Sequence, residues 1–283
     1  MSVKLSPSIK HLLTLKNPNV PPGPPVSKLL GVLKSTYSDA KQKQATKGWL
    51  TLTTSTLLTA NSPTSVGHLY QLTTRTDPEI ASTRLGLSDA VNRAALIREA
   101  AMKSTIFVGV PRTILSLAGL HAVLEDDVKA GLRTETKRRP TRENIDEIQA
   151  RGKALWSSIY TPHAEKLHDK LGSYHPDFIE FIIQAYGSVL APLPGGESEQ
   201  GNLSRALGSV VGVACLRAEG GVSPQLVSHV FGLLKARDVK GLSEEDYWLA
   251  TDEGTEWVIR TVDQILDVVK PELGKNDQVT AKL

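Results

Sequence analysis

His229 interrupts an otherwise apolar stretch, GVSPQLVSHVFGLL, residues 221–234. An imidazole titrates near neutral pH, so a histidine held there is equipped to act as a general acid or base. The competing reading is a packed histidine bonded to a backbone carbonyl. Ser228 precedes it, but adjacent helical side chains do not face each other, so the two do not form a nucleophile–base pair. Glu99 lies among apolar neighbours in LIREAAMKSTIFV, with Lys103 four residues on. That spacing makes an ion pair along one helix face, worth about 0.3–0.5 kcal/mol where exposed. It equally offers a carboxylate as base or proton relay, and an ammonium to hold an anionic substrate. Arg112 follows Pro111 in the first turn of a helix, where a cation opposes the helix dipole. A carboxylate ligand or an interhelical ion pair would account for it. Tyr186, in HPDFIEFIIQAYGSVL, reads either as a core tyrosine with an internal bond or as a further substrate contact.

Helices must position these residues. In 24–44 apolar residues recur with helical spacing at Val26, Leu29, Leu30, Val32 and Leu33. Segment 48–60 alternates at Leu50 and Leu52 as a strand would. No second strand is available to pair with it, so a buried, Thr-rich helix is expected. Ser62-Pro63 and Ser88-Asp89 read as helix starts. Further helices are expected at about 111–130, 141–171, 176–191, 202–219, 224–236 and 243–270, punctuated by VGVP, PLPGG and EGGVSP. No run of β-branched residues bounded by hairpin turns occurs. The expected fold class is all-α.

Two stretches repeat. GVPRTILSLAGL (109–120) and VSPQLVSHVFGL (222–233) pair Pro111 with Pro224, Gly119 with Gly232 and Leu120 with Leu233. Each follows a Gly-containing turn and a long apolar helix, so a duplicated helical hairpin is expected, at about 89–130 and 202–241. A glycine inside a helix costs about 1 kcal/mol against alanine, and close helix–helix approach would explain it in both copies. In this register Glu99 aligns with Gly212 and His229 with Ser116. Each copy keeps one half of a Glu/His pair. The halves meet in one pocket or sit in two separate half-sites.

Composition narrows the classes. With 283 residues, 40% hydrophobic and 22% charged, the chain is that of a globular protein with a substantial core. Polar residues break every apolar stretch short of the roughly 20 a membrane-spanning helix needs. A net charge of +3 without a basic, aromatic-interleaved stripe gives no nucleic-acid footprint. Lys137-Arg138-Arg139, followed by Glu143, Asp146 and Glu147, reads as a solvated linker. The single cysteine, Cys215, has no partner for a disulfide, a zinc site or a CxxC pair, and is expected buried and inert. His163 and His168 are five apart, off one helical face, so no metal is expected. No P-loop, GxGxxG or GxSxG occurs, and no cofactor is expected.

The ends read separately. Residues 1–23 form an N-terminal arm, lysine-bearing and within an acid-free first 38 residues, which leaves a mitochondrial address as an alternative. Residues 24–270 form the helical domain. Residues 271–283 are expected to form a flexible tail ending in Ala281-Lys282-Leu283, a small–basic–Leu tripeptide like the peroxisomal import signal. A peroxisomal import receptor and a peroxisomal matrix location are therefore expected, with mitochondrial or cytoplasmic location as alternatives.

The combination of an Arg-Glu helix, a short Gly turn and a histidine-bearing helix resembles the alkylhydroperoxidase-D-like superfamily, which includes carboxymuconolactone decarboxylase. PQLVSHVFGLLKARDVKGLSEEDY is similar to that family's closing stretch, and LIREAAMKSTIFVGVPRTILSL to its eukaryotic branch. The likeness spans roughly residues 60–250. It implies an all-α duplicated-hairpin fold and homo-oligomerisation. It also implies general acid–base chemistry, such as decarboxylation or isomerisation of a small carboxylate, with Glu99 and His229 catalytic and Lys103, Arg112 and Tyr186 holding the substrate. The family's peroxidases work through a Cys-x-x-Cys pair. The window before His229 has no cysteine, so dithiol peroxidase activity is excluded. The alternative is a non-catalytic helical protein that binds a partner or a second copy.

Overall fold

The computed structural model describes residues 3–15 and 23–270, so the C-terminal tripeptide Ala281-Lys282-Leu283 and part of the N-terminal arm lie outside the described residues. The described chain is all-α. In order it forms α1 (Pro7–Leu15), α2 (Val26–Gln42), α3 (Thr46–Thr59), α4 (Pro63–Thr74), α5 (Leu87–Val108), α6 (Val110–His121) and α7 (Asp126–Gly131). It continues with α8 (Ile145–Tyr160), α9 (Ala164–Tyr174), α10 (Pro176–Ala185), α11 (Arg205–Glu219), α12 (Ser223–Leu234), α13 (Glu244–Leu249) and α14 (Asp252–Val269). A π-helical turn, Tyr186–Leu190, continues α10. An isolated bridge between Arg75 and Arg84 is the only β-type pairing among the described residues. No helix among them is long and apolar enough to cross a membrane.

Three helices expected to be continuous are each broken in two. Pro162 cannot continue α8 into α9. Asp126 and Asp127 favour a fresh N-terminus, which separates α7 from α6. Thr251 accepts from the Gly254 N–H and starts α14 afresh after α13. The cap expected at Ser62 is also different: its hydroxyl bonds Ser65 Oγ at 2.7 Å and makes no cap bond to the backbone.

The core is built around α3, buried at every residue from Gly48 to Thr59, and packed on α5, α11 and α14. Three of its threonines meet the cost of burying hydroxyls locally, while the Thr51 and Thr53 hydroxyls have no hydrogen-bond partner among the described residues. Thr54, Thr56 and Thr59 donate to the carbonyls of Leu50, Leu52 and Ser55, each at 2.7 Å. Helix α11 is buried from Ala206 to Cys215, and burial pushes the Cys215 thiol up to about 11, as an inert core cysteine requires.

A smaller apolar cluster joins α8, α10 and the π turn through Trp156, Ile159, Ile183, Tyr186 and Leu190; Phe107 of α5 packs against both clusters. Gly152 of α8 crosses Gly187 of the π turn. A Cβ on either would overlap a backbone carbonyl of the other segment, Ile183 or Ile148 respectively. Lys235, from the main body, closes the end of α8 by donating to the carbonyls of Ile159 at 2.7 Å and Thr161 at 2.6 Å.

The two hairpins turn alike. Gly109 (φ 82°, ψ 167°) joins α5 to α6. Gly220 (φ 73°, ψ 163°) ends α11 before α12. Both angles lie where a side chain would be strained. Gly119 packs on the Pro63 backbone of α4, and a Cβ at Gly232 would stand 3.0 Å from the Ile159 side chain of α8. Close approach thus accounts for both interior glycines.

Candidate functional site

Two polar clusters form inside this frame, and the sequence candidates other than Arg112 divide between them. The first is built on α5. Glu99 and Lys103, one turn apart, are both buried, with Lys103 Nζ 3.5 Å from Glu99 Oε1. The ammonium spends its donors elsewhere: on the carbonyls of Val189 (3.1 Å), Leu190 (2.7 Å) and Ala191 (2.8 Å). These belong to the end of the π turn, where carbonyls have no intrahelical partner, and an ammonium supplies three donors. Burial pulls the Lys103 pKa down to about 7, opposed by Glu99.

Glu99 also accepts from Arg138 Nη2, which lies 3.4 Å from the Val189 carbonyl as well. This corrects the reading of 137–139 as a solvated linker. Lys137 pairs with Glu199 at 3.5 Å, Arg138 turns inward, and Arg139 is exposed. The buried Glu99 carboxylate draws Arg138 in, because leaving it with fewer partners would cost more than ordering the loop.

Beside this pair lies a cavity of about 190 Å³ lined by Ala95, Arg98, Glu99, Met102, Leu117, Arg133, Arg138 and Gln200. Arg98 Nη2 donates to the Arg133 carbonyl at 3.3 Å. Arg133 Nη1 donates to the Glu135 carbonyl at 2.8 Å, and its backbone N–H to Gln200 Oε1 at 2.8 Å. Among the described residues neither guanidinium meets a carboxylate partner. Burial holds the Arg98 pKa below its usual value, the neighbouring Arg133 charge pushes the same way, and Glu99 opposes both. The wall therefore carries more positive charge than Glu99 balances.

The second cluster surrounds His229 on α12. Its Nε2 lies 3.4 Å from the Tyr160 hydroxyl, which lies 3.1 Å from the Tyr186 hydroxyl. Phe107 meets the imidazole edge-on, with centroids 5.1 Å apart. Arg205 spans the base of the cluster, donating to Ser158 Oγ at 3.0 Å, to the Gly232 carbonyl at 3.1 Å, and to Ser209 Oγ. Burial, with Arg205 adding to it, lowers the His229 pKa to about 4. Burial raises both phenols. At neutral pH the imidazole and the tyrosines are uncharged. The cavity that His229 lines with Arg205, Leu190 and Pro192 holds about 10 Å³, room for one water at most. A Cβ on Gly212 would stand 2.6 Å from His229 Nδ1 and 3.1 Å from the Phe107 ring. Gly212 is the position that aligns with Glu99, so the imidazole fills the place a carboxylate would need.

Glu99 and His229 thus line different cavities and share no bond: Glu99 is held by Arg138 and Lys103, His229 by Tyr160. Lys103 lines neither cavity. Tyr186 joins His229 through Tyr160. Arg112 joins neither: it bonds Glu219 at 2.7 Å and the Thr59 carbonyl at 3.0 Å, tying α6 to α11 and α3. No described group of three or more His, Cys, Asp or Glu side chains is placed to hold a metal. Sequence reasoning missed Arg133, Arg138, Gln200, Tyr160 and Arg205. Arg98 was visible only as the neighbour of Glu99.

The fold and site define a class in general terms, an all-α protein with an arginine-walled cavity beside a buried ion pair. No family model, curated protein or solved structure matches the chain.

Proposed function

We propose that this protein binds a small carboxylate between Arg98 and Arg133. The observation that carries the reading is the pair of half-buried guanidiniums that face one cavity, repel each other and meet no carboxylate among the described residues. An anion between them would relieve that repulsion, and planar bidentate donors suit a carboxylate. Glu99 is already held by Arg138 and Lys103, and His229 lies in the other cluster. Binding is therefore better supported than turnover, and decarboxylation or isomerisation would rest on Glu99 without His229. Titration of the protein with acetate, followed by NMR, tests the reading. Shifts confined to the Arg98–Arg133 wall, lost in Arg98→Met, are expected; shifts that persist in Arg98→Met would sink it.

Membership of the thiol-free part of the alkylhydroperoxidase-D-like superfamily remains part of this proposal. Its support is the pair of Gly–Pro hairpin junctions and the contact of Gly212 with His229. A second reading, self-association, is favoured by exposed apolar side chains on successive turns: Val110 and Ile114 of α6, Val227 and Phe231 of α12. A monomeric mass by light scattering at high concentration would dismiss it.

A further inference from the structure

The arginine cavity does not end at its arginines. It shares Arg98, Leu117 and Arg133 with an adjoining groove of about 460 Å³, lined further by Leu120, Leu124 and Leu132. The groove runs between α6 and the α7 segment. Three of its leucines, Leu120, Leu124 and Leu132, are buried elements of the main core, so the floor is fixed. Lys129, His121 and Thr134 form the rest of its lining. The head end is thus cationic, the groove is floored by leucines with Lys129 and His121 also lining it, and the shared residues make the two continuous.

We infer that the ligand is an amphipathic monocarboxylic acid. Its carboxylate lies between Arg98 and Arg133, and its apolar body lies over Leu117, Leu120, Leu124 and Leu132. This rests on the carboxylate-binding reading above and adds the chemistry of the rest of the ligand. A fully hydrophilic acid would fill the head cavity and leave the partly exposed Leu117 and the edges of Leu124 and Leu132 wet. An acid with an aliphatic chain or a single ring of carbons covers them. Glu99 stands on the head wall, so a second carboxylate on the ligand gains no third free arginine: Arg138 is already bonded to Glu99.

The test is a homologous series on the full-length protein: acetate, butyrate, hexanoate and octanoate, with 1-hexanol as the uncharged control, measured by calorimetry or NMR titration. Affinity is expected to rise about two- to fourfold for each methylene that reaches the groove, as burial of roughly 0.8 kcal/mol per CH₂ requires at most. Leu124→Asn should bring the hexanoate-to-acetate ratio close to one, with folding checked by circular dichroism. The wild-type series decides even if that variant does not fold. Equal affinity across the series overturns the inference and leaves carboxylate binding standing. No binding of any acid overturns the carboxylate reading, and this inference with it. Hexanol binding as tightly as hexanoate overturns the assignment of the head group to Arg98 and Arg133.

Discussion

The Glu99 and His229 clusters adjoin the same π turn and use it in opposite ways. On one side, Lys103 ties down its terminal carbonyls, and charge accumulates in an open, wettable cavity. On the other, Leu190 helps close a space of about 10 Å³, and burial with the nearby Arg205 charge keeps the histidine neutral. Both places hold buried polar side chains on apolar helices, the feature that makes either a candidate in sequence. What separates them is access. A buried carboxylate next to an unfilled cavity has a use for further cations, and it has drawn in Arg138. A buried imidazole set among phenols, a ring edge and the Arg205 guanidinium is held as an uncharged core group.

Four measurements sharpen that contrast. The largest effect belongs to Lys103→Met, which removes the ammonium but keeps most of its volume. Three carbonyls and part of Glu99 lose their partner, and urea unfolding should show a loss of roughly 3–5 kcal/mol, as for a broken buried ion pair. A loss below about 1 kcal/mol would mean that the carbonyls find other donors.

Next is the acid response of His229. Its folded pKa, about 4, lies below the ordinary 6.5, so the unfolded chain takes up the proton first. Stability from this group is therefore intact above pH 6.5 and falls as pH drops toward 4. The loss reaches roughly 3 kcal/mol at 1.36 kcal/mol per unit. Wild type should lose its stability advantage over His229→Gln across that window; parallel curves would show that the imidazole is protonated in the fold or reached by water.

A smaller change is expected for Tyr160→Phe, about 1–2 kcal/mol, because the Tyr186 hydroxyl and His229 Nε2 lose their common partner. Thermal melting reads it, and acetate titration should be unmoved. Smallest in stability is Arg98→Met, within about 0.5 kcal/mol, since it removes a repulsion along with a single bond to a backbone carbonyl. The same variant should abolish acetate binding, so the least stabilising residue of the four carries the largest functional effect.

What was legible in the sequence is what local spacing encodes. The all-α class follows from apolar periodicity. The hairpin junctions follow from Gly109-Val110-Pro111 and Gly220 with Pro224, and Glu99 meets Lys103 because four residues make one helical turn. The partners that give those residues meaning are distant. Tyr160 reaches His229 from 69 positions away, and Arg138 reaches Glu99 from 39. Arg138 sits in an aperiodic loop, where a charge run carries no register to say which member turns inward. The π turn, with its three carbonyls, has no sequence signature beyond Gly187. The break at Pro162 was missed, with 141–171 expected as one helix, although proline cannot continue α8.

The lysine at each end of the smaller cluster has a consequence for how the protein breathes. Lys103 grips the carbonyls that close the π turn, and Lys235 those that close α8. Both anchors lie outside the segment they hold. Fraying back from residue 191 must strip Lys103 of its acceptors at the outset, and parting α8 from α9 must strip Lys235, so either opening forfeits two charge-assisted bonds or more. Residues 159–191 are thereby expected to exchange their amide hydrogens together, as one cooperative unit pinned to the main body, with protection that ends abruptly at the two anchors.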